Sequence, residues 1–197
     1  MEHVNRFKND KRSRKSRQAI KEAFKEMVLT QEMSHIVIKD LAEKADVNRK
    51  TFYLHYTDVY NVLEDVEDEL LDDIKKIFGK FDMNKIKTDP YPLLLAISDG
   101  VSGSENETFN KLLFSSTISG NFMRKIKDML KKELFNSYNF NVSNAPKANI
   151  VLSFIVSGVV DCYRDWYLSD RSESLEELAR ELSELIKHGV ARYFEIG

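Results

Sequence analysis

Apolar side chains recur at three- and four-residue steps along most of this chain, the repeat of helices that each bury one face. In KRSRKSRQAIKEAFKEMVL the positions Ala19, Ile20, Ala23, Phe24, Met27 and Val28 keep that step, which predicts a first helix over 11–30. The ten residues before it read as an arm. Leu41, Ala42 and Ala45 mark a short second helix over 38–45. The stretch VNRKTFYLHY predicts a third over 48–56 with two unlike faces: Phe52 and Tyr56 share one, while Arg49, Lys50 and Tyr53 share the other. From Val59 an apolar stripe runs through Val62, Leu63, Val66, Leu70, Ile74 and Ile77 to Phe81, a helix of about 24 residues and roughly 36 Å. The segment 82–92 breaks it, and further helices are predicted over 93–102, 107–116, 121–137, 146–168 and 175–194. Only seven Gly and three Pro punctuate the chain, which favours an all-α fold over a turn-rich β fold.

The connections carry their own signals. Between the second and third helices stands Asp46, a residue type that tolerates the positive φ a tight inter-helix turn requires. Asn48 is placed as the N-cap of the third helix and Asp58 as that of the fourth. Ser104 with Glu107 and Ser174 with Glu177 have the spacing of capping boxes. Helix, short turn, helix is the layout of a helix-turn-helix, with the third helix as the one that enters a groove.

Charge sharpens that picture. The formal net charge of -2 hides an asymmetry, because residues 1–56 carry 13 Lys+Arg against 8 Asp+Glu and the remainder 17 against 24. Lys11, Arg12, Arg14, Lys15 and Arg17 crowd the first turns of the first helix. Cations there oppose the helix dipole, so helix stability does not explain them and a phosphate partner does. Composition is that of a globular chain, 42% hydrophobic and 31% charged. The single Cys162 excludes an intrachain disulfide and a cysteine-based metal site. MEHVNRFKND has no apolar signal core, and the longest apolar run, 150–160, is interrupted by serine and Gly158. A cytoplasmic protein with no membrane partner is expected.

Enzyme chemistry finds no foothold. DGVSGSEN lacks the second glycine and the preceding strand of a nucleophile turn. His3, His35, His55 and His188 are scattered without ligand spacing. Glu64, Asp68 and Asp72 share a face that reads as the solvated side of an exposed helix. No catalytic residue, metal or cofactor is expected. Phe109, Phe114, Phe122 and Met129, with Met123 and Phe135, suit either an effector cavity or an ordinary helical core. Phe154, Ile155, Gly158, Val159 and Cys162, with Leu178, Leu182, Leu185 and Ile186, form stripes able to pack on a second subunit, and Ser157 and Gly158 would permit close helix approach.

The run IVIKDLAEKADVNRKTFYLHYTDVYNVL, 36–63, resembles the DNA-binding region of the TetR/AcrR family of bacterial transcriptional regulators, and with the first helix the match covers about 11–63. The resemblance implies a three-helix DNA-binding domain over 1–57 and a helical ligand-binding and dimerisation domain over 58–197. It implies a homodimer on double-stranded operator DNA, most often a repressor, whose fit to DNA an unknown small molecule alters. Carried over by position, Asn48, Arg49, Lys50, Thr51, Tyr53 and His55 are the DNA-facing residues, joined by Lys39 and by Arg12, Arg14, Lys15 and Arg17; Val47, Phe52 and Tyr56 are packing residues. Arg49 and Lys50 can donate to guanine or phosphate, and the Thr51 methyl can meet a thymine methyl. The chain departs from the pattern at Val37 and Val59, where phosphate-binding Thr and Lys usually stand, and at Asp46, usually Gly. Some proteins of this fold act as coactivators through protein contacts, and the missing phosphate contacts keep that alternative in view.

Overall fold

The computed structural model describes residues 2–102, 107–115, 120–137, 145–170 and 172–190. All regular structure among them is helical: α1 Glu2–Val28, α2 Ile38–Lys44, α3 Arg49–Tyr53, α4 Val59–Phe78, α5 Met83–Thr88, α6 Tyr91–Ser102, α7 Glu107–Phe114, α8 Phe122–Ser137, α9 Ala145–Leu168 and α10 Leu175–Leu185. The chain forms two compact units, Met1–Leu70 and Leu71–Gly197, divided within α4. The domain boundary expected at 57/58 falls at the start of that helix.

In the first unit, Ile20, Ala23, Phe24, Met27 and Val28 of α1 are buried with Leu41, Ala42, Phe52, Tyr56, Val62 and Val66. The backbone is helical from Glu2, so residues 2–10 of the expected arm are instead helix. That stretch holds no Gly or Pro, and a helix nucleated by a buried face propagates cheaply through such residues. The third helix is shorter than predicted, ending at Tyr53, but the amides of His55 and Tyr56 still donate to Phe52 O at 2.9 and 3.0 Å. A further turn thus carries Tyr56 inward. Asp58 Oδ1 accepts from the Asn61 amide at 2.8 Å and starts α4.

In the second unit the apolar stripe of α4 ends at Phe78, short of the predicted Phe81, and Gly79 follows. Where a break was expected stands α5, capped by Asp82 Oδ1 accepting from the Asn84 amide at 2.9 Å and anchored by buried Ile86. One anchoring residue produces no periodicity, so the sequence pattern misses the element. Helices α6 and α10 share a core of Leu94, Ala179 and Leu182. Helix α8 packs on α9, tied by Lys127 Nζ to Asp161 at 2.7 and 2.9 Å. Helix α7 is held to α9 by Arg164 Nε donating to Phe114 O at 3.0 Å. A Cβ at Gly100 would come within 2.6 Å of Ile77 Cδ1, so a larger residue there would push the tip of that side chain aside. The Ser174–Glu177 capping box is formed, and a π-helical turn, Ile186–Val190, follows α10. Ser104 of the other expected box, residue 116, and the predicted helix end at 194 lie outside the described residues.

Candidate nucleic-acid interface and core cavities

The turn before α3 is a Schellman motif built on aspartate. Asp46 has φ 51°, the positive value expected of it. Its amide donates to Glu43 O at 3.0 Å and the Val47 amide to Ala42 O at 2.9 Å, the paired bonds that close a helix on a left-handed residue. Asn48 then caps α3 by accepting from the Lys50 amide at 2.8 Å. Phe52 is fully buried, and its position fixes the helix rotation. Asn48, Arg49, Lys50 and Tyr53 are consequently exposed together, with Thr51 and His55 half-buried at the edges. Lys39, on α2, and Arg12, Arg14 and Lys15, on α1, are also exposed. Burial and the charge of Arg17 hold the His55 imidazole below its usual value, so it is neutral at pH 7.

Arg17 stands apart from the other cations. Its Nε donates to Asp65 Oδ2 at 2.8 Å and a second guanidinium nitrogen to Oδ1, a bidentate clasp on α4. The Tyr56 hydroxyl donates to the same carboxylate at 2.6 Å. Lys21, buried on α1, pairs with Glu69 and lies 3.6 Å from Asp65 Oδ2. Burial opposes ionisation of Asp65, but bonds from Arg17 and Tyr56 and the charge of Lys21 outweigh it and hold the carboxyl below its usual range. Burial pushes the Tyr56 phenol well above its usual value, and Asp65 adds to that. The sequence reading treated Tyr56 as packing alone and did not single out Asp65, Lys21 or Glu69. Asp65 and Glu69 lie in the acidic run EDVEDELLDD, which offers no local cue to partners 48 residues away. The departures at 37 and 59 also take shape. Val37 precedes α2 half-exposed and without a side-chain cap, whereas Val59 is core.

The geometry above is a helix-turn-helix, and its kinship can be stated. A family model described as a TetR-type transcriptional regulator C-terminal region matches residues 101–188. The HTH-type transcriptional regulator YxbF of Bacillus subtilis (strain 168) is 27% identical over 122 residues, 58% of this chain and 30% of that protein. These matches make the chain similar to TetR-type transcriptional regulators. It spans about 30% of the length of that relative. A TetR transcriptional regulator from Streptococcus agalactiae 2603V superposes with a TM-score of 0.66 at 16% identity, covering 91% of this chain and 98% of the other. The dihydroxyacetone kinase operon activator DhaS gives 0.61 at 16% identity, covering 89% and 96%. These structural likenesses establish the fold.

The second unit sorts the remaining expected residues. Two cavities of about 80 Å³ each lie within it. Phe114 lines one of them; Phe109, Phe122 and Met129 are buried but line neither. Of the subunit-packing stripes, Ile155, Val159 and Ile186 line cavities, and Leu182 with half-buried Leu178 joins the α6–α10 core. These five are engaged within the protomer. Phe154, Gly158 and Cys162 fall on one exposed face of α9 at steps of four, continued by Ile150, and Leu185 is exposed on α10. A Cβ at Gly158 would meet nothing within 4 Å. Burial pushes the Cys162 thiol up, reinforced by Asp165 and Asp161. Among the described residues no cluster of His, Cys, Asp or Glu could hold a metal, and no helix is long and apolar enough to cross a membrane.

Proposed function

We propose that this protein is a ligand-responsive transcriptional repressor that binds operator DNA as a homodimer through α3 and acts in the cytoplasm. The observation that carries the reading is the joint exposure of Asn48, Arg49, Lys50 and Tyr53 on a helix rotated by buried Phe52. Arg49 and Lys50 would read base edges, and the exposed cations of α1 with Lys39 would neutralise phosphates. The exposed face of α9 with Leu185 supports self-association, and reading helices about 34–36 Å apart would meet successive turns of one groove. A small molecule would act only as far as it prefers a dimer with a different spacing.

Titration against upstream DNA of the protein's own operon tests this. Arg49→Ala should weaken specific binding about tenfold or more and non-specific binding less. Changing Arg12 and Arg14 together to Ala should weaken both and flatten the salt dependence. Absence of any salt-sensitive, sequence-preferring binding would abandon the operator model.

A second reading, a coactivator working through protein contacts, is favoured by one feature. Val37, Leu54 and Tyr60, near or within the helix-turn-helix, are 50%, 82% and 62% exposed. Such apolar surface suits a protein partner better than a phosphate backbone. The same titration separates the two readings.

A further inference from the structure

We propose that Asp65 withholds Arg17 from the DNA backbone: the carboxylate occupies the guanidinium as a phosphate would, and so removes one sequence-blind contact per protomer. The proposal rests on the reading above that the first unit binds DNA. The Arg17 side chain is 53% exposed, so burial does not keep it from a phosphate. Its bonds do. Nε and a terminal nitrogen both meet Asp65, the two-point geometry by which arginine also takes phosphate. The Asp65 side chain is only 13% exposed, and the Tyr56 hydroxyl donates to it at 2.6 Å. The charge of Arg17 is felt at the His55 imidazole, so the clasp sits beside the helix that would enter the groove.

Transfer of Arg17 to a phosphate would break two charge-assisted bonds and make at most two in return. It would also leave Asp65, an anion largely removed from water, beside the phosphate that took its partner. Lys21, buried and paired with Glu69, lies 3.6 Å from Asp65 Oδ2 and compensates it only in part. The exchange gains no bond and adds a repulsion, so the clasp holds. Its consequence is read in salt. Each phosphate neutralised releases counter-ions and adds about 0.9 to the slope of log affinity against log salt. With Arg17 held by Asp65, that increment is missing from each protomer on every DNA sequence alike, because phosphates carry no sequence information.

Titration of the full chain with a short duplex of arbitrary sequence, and with upstream DNA of its own operon, between about 50 and 200 mM salt tests this. Asp65→Asn, whose amide oxygen can still accept from Tyr56, should tighten binding to both duplexes. Its slope should steepen by about 0.9 per protomer, an added loss of about threefold per protomer across that range. Asp65→Asn combined with Arg17→Gln should return the slope to that of wild type. Glu69→Gln removes a negative charge from the same cluster but leaves the clasp, and should keep the wild-type slope. A slope unchanged in Asp65→Asn, or flatter than wild type by about 0.9 per protomer in the double variant, shows Arg17 already on a phosphate and overturns the proposal. Equal steepening in Glu69→Gln assigns the effect to charge in general and overturns it too. The double variant lacks both partners of the clasp, so it decides the matter even where Asp65→Asn alone fails to fold. Absence of binding to either duplex by wild type at the lowest salt overturns the DNA-binding reading itself, and this proposal falls with it.

Discussion

Asp65 receives a hydroxyl from Tyr56, a bidentate guanidinium from Arg17 and the nearby charge of Lys21. The carboxylate thereby joins α1, the residue that ends the α3 segment and α4 at one point. Removing its charge would leave Arg17 without the carboxylate that clasps it and Lys21 with Glu69 alone. Asp65→Asn should cost about 1–2 kcal/mol at pH 7, discounted for the exposure of Arg17. The native carboxyl sits below the unfolded value of about 4, so its contribution is complete above that value and vanishes as pH falls through the native one. Urea titrations of wild type and variant should therefore differ at pH 7 and begin to converge only as the pH falls below about 4; a gap independent of pH would deny the ionic role. Arg17 was expected on DNA with its neighbours. Its spacing in KRSRKSR could not distinguish it, because the partner that engages it lies 48 residues away.

At the scale of elements, the turn chemistry was readable because it is local. Asp46 adopts φ 51°, a conformation that strains any side chain and glycine least. Asp46→Gly should stabilise the protein by about 0.5–1 kcal/mol in chemical denaturation, and removing a negative charge beside α3 should also tighten DNA binding. The capping box of α10 has both reciprocal bonds, with the Ser174 hydroxyl accepting from the Glu177 amide at 3.1 Å. Ser174→Ala should cost about 1 kcal/mol, read as a lower melting temperature with dichroism of the native state unchanged. Helix α5 escaped notice for the opposite reason. Its six residues bury only Ile86, and its existence depends on what that residue packs against rather than on a repeat.

For the whole molecule, the exposed apolar surface bears on assembly. Ile150 and Phe154 are 71% and 73% exposed on α9, and Leu185 is 66% exposed on α10. Large apolar side chains left in water along one helix face, as Ile150 and Phe154 are, mark an interface more often than an ordinary surface. Phe154→Glu should shift sedimentation velocity from dimer to monomer at micromolar protein and weaken operator binding with it. An unchanged dimer would move the interface elsewhere. The stripe as read from the sequence mixed two populations: Leu182 is buried against Leu94 and Ala179, whereas Phe154 points away from the protomer.

Helix phase, the αL turn at Asp46, the Asn48 cap and the outward set on α3 were all written in residues within a few positions of one another, where backbone sterics and helical spacing act. The clasp of Arg17 and Tyr56 on Asp65, the burial of Lys21, the short helix α5, the two cavities, and the split of the α9 and α10 stripes into core and surface were not. Each depends on side chains brought together from distant segments, and a periodic pattern records that a face is apolar without recording what covers it.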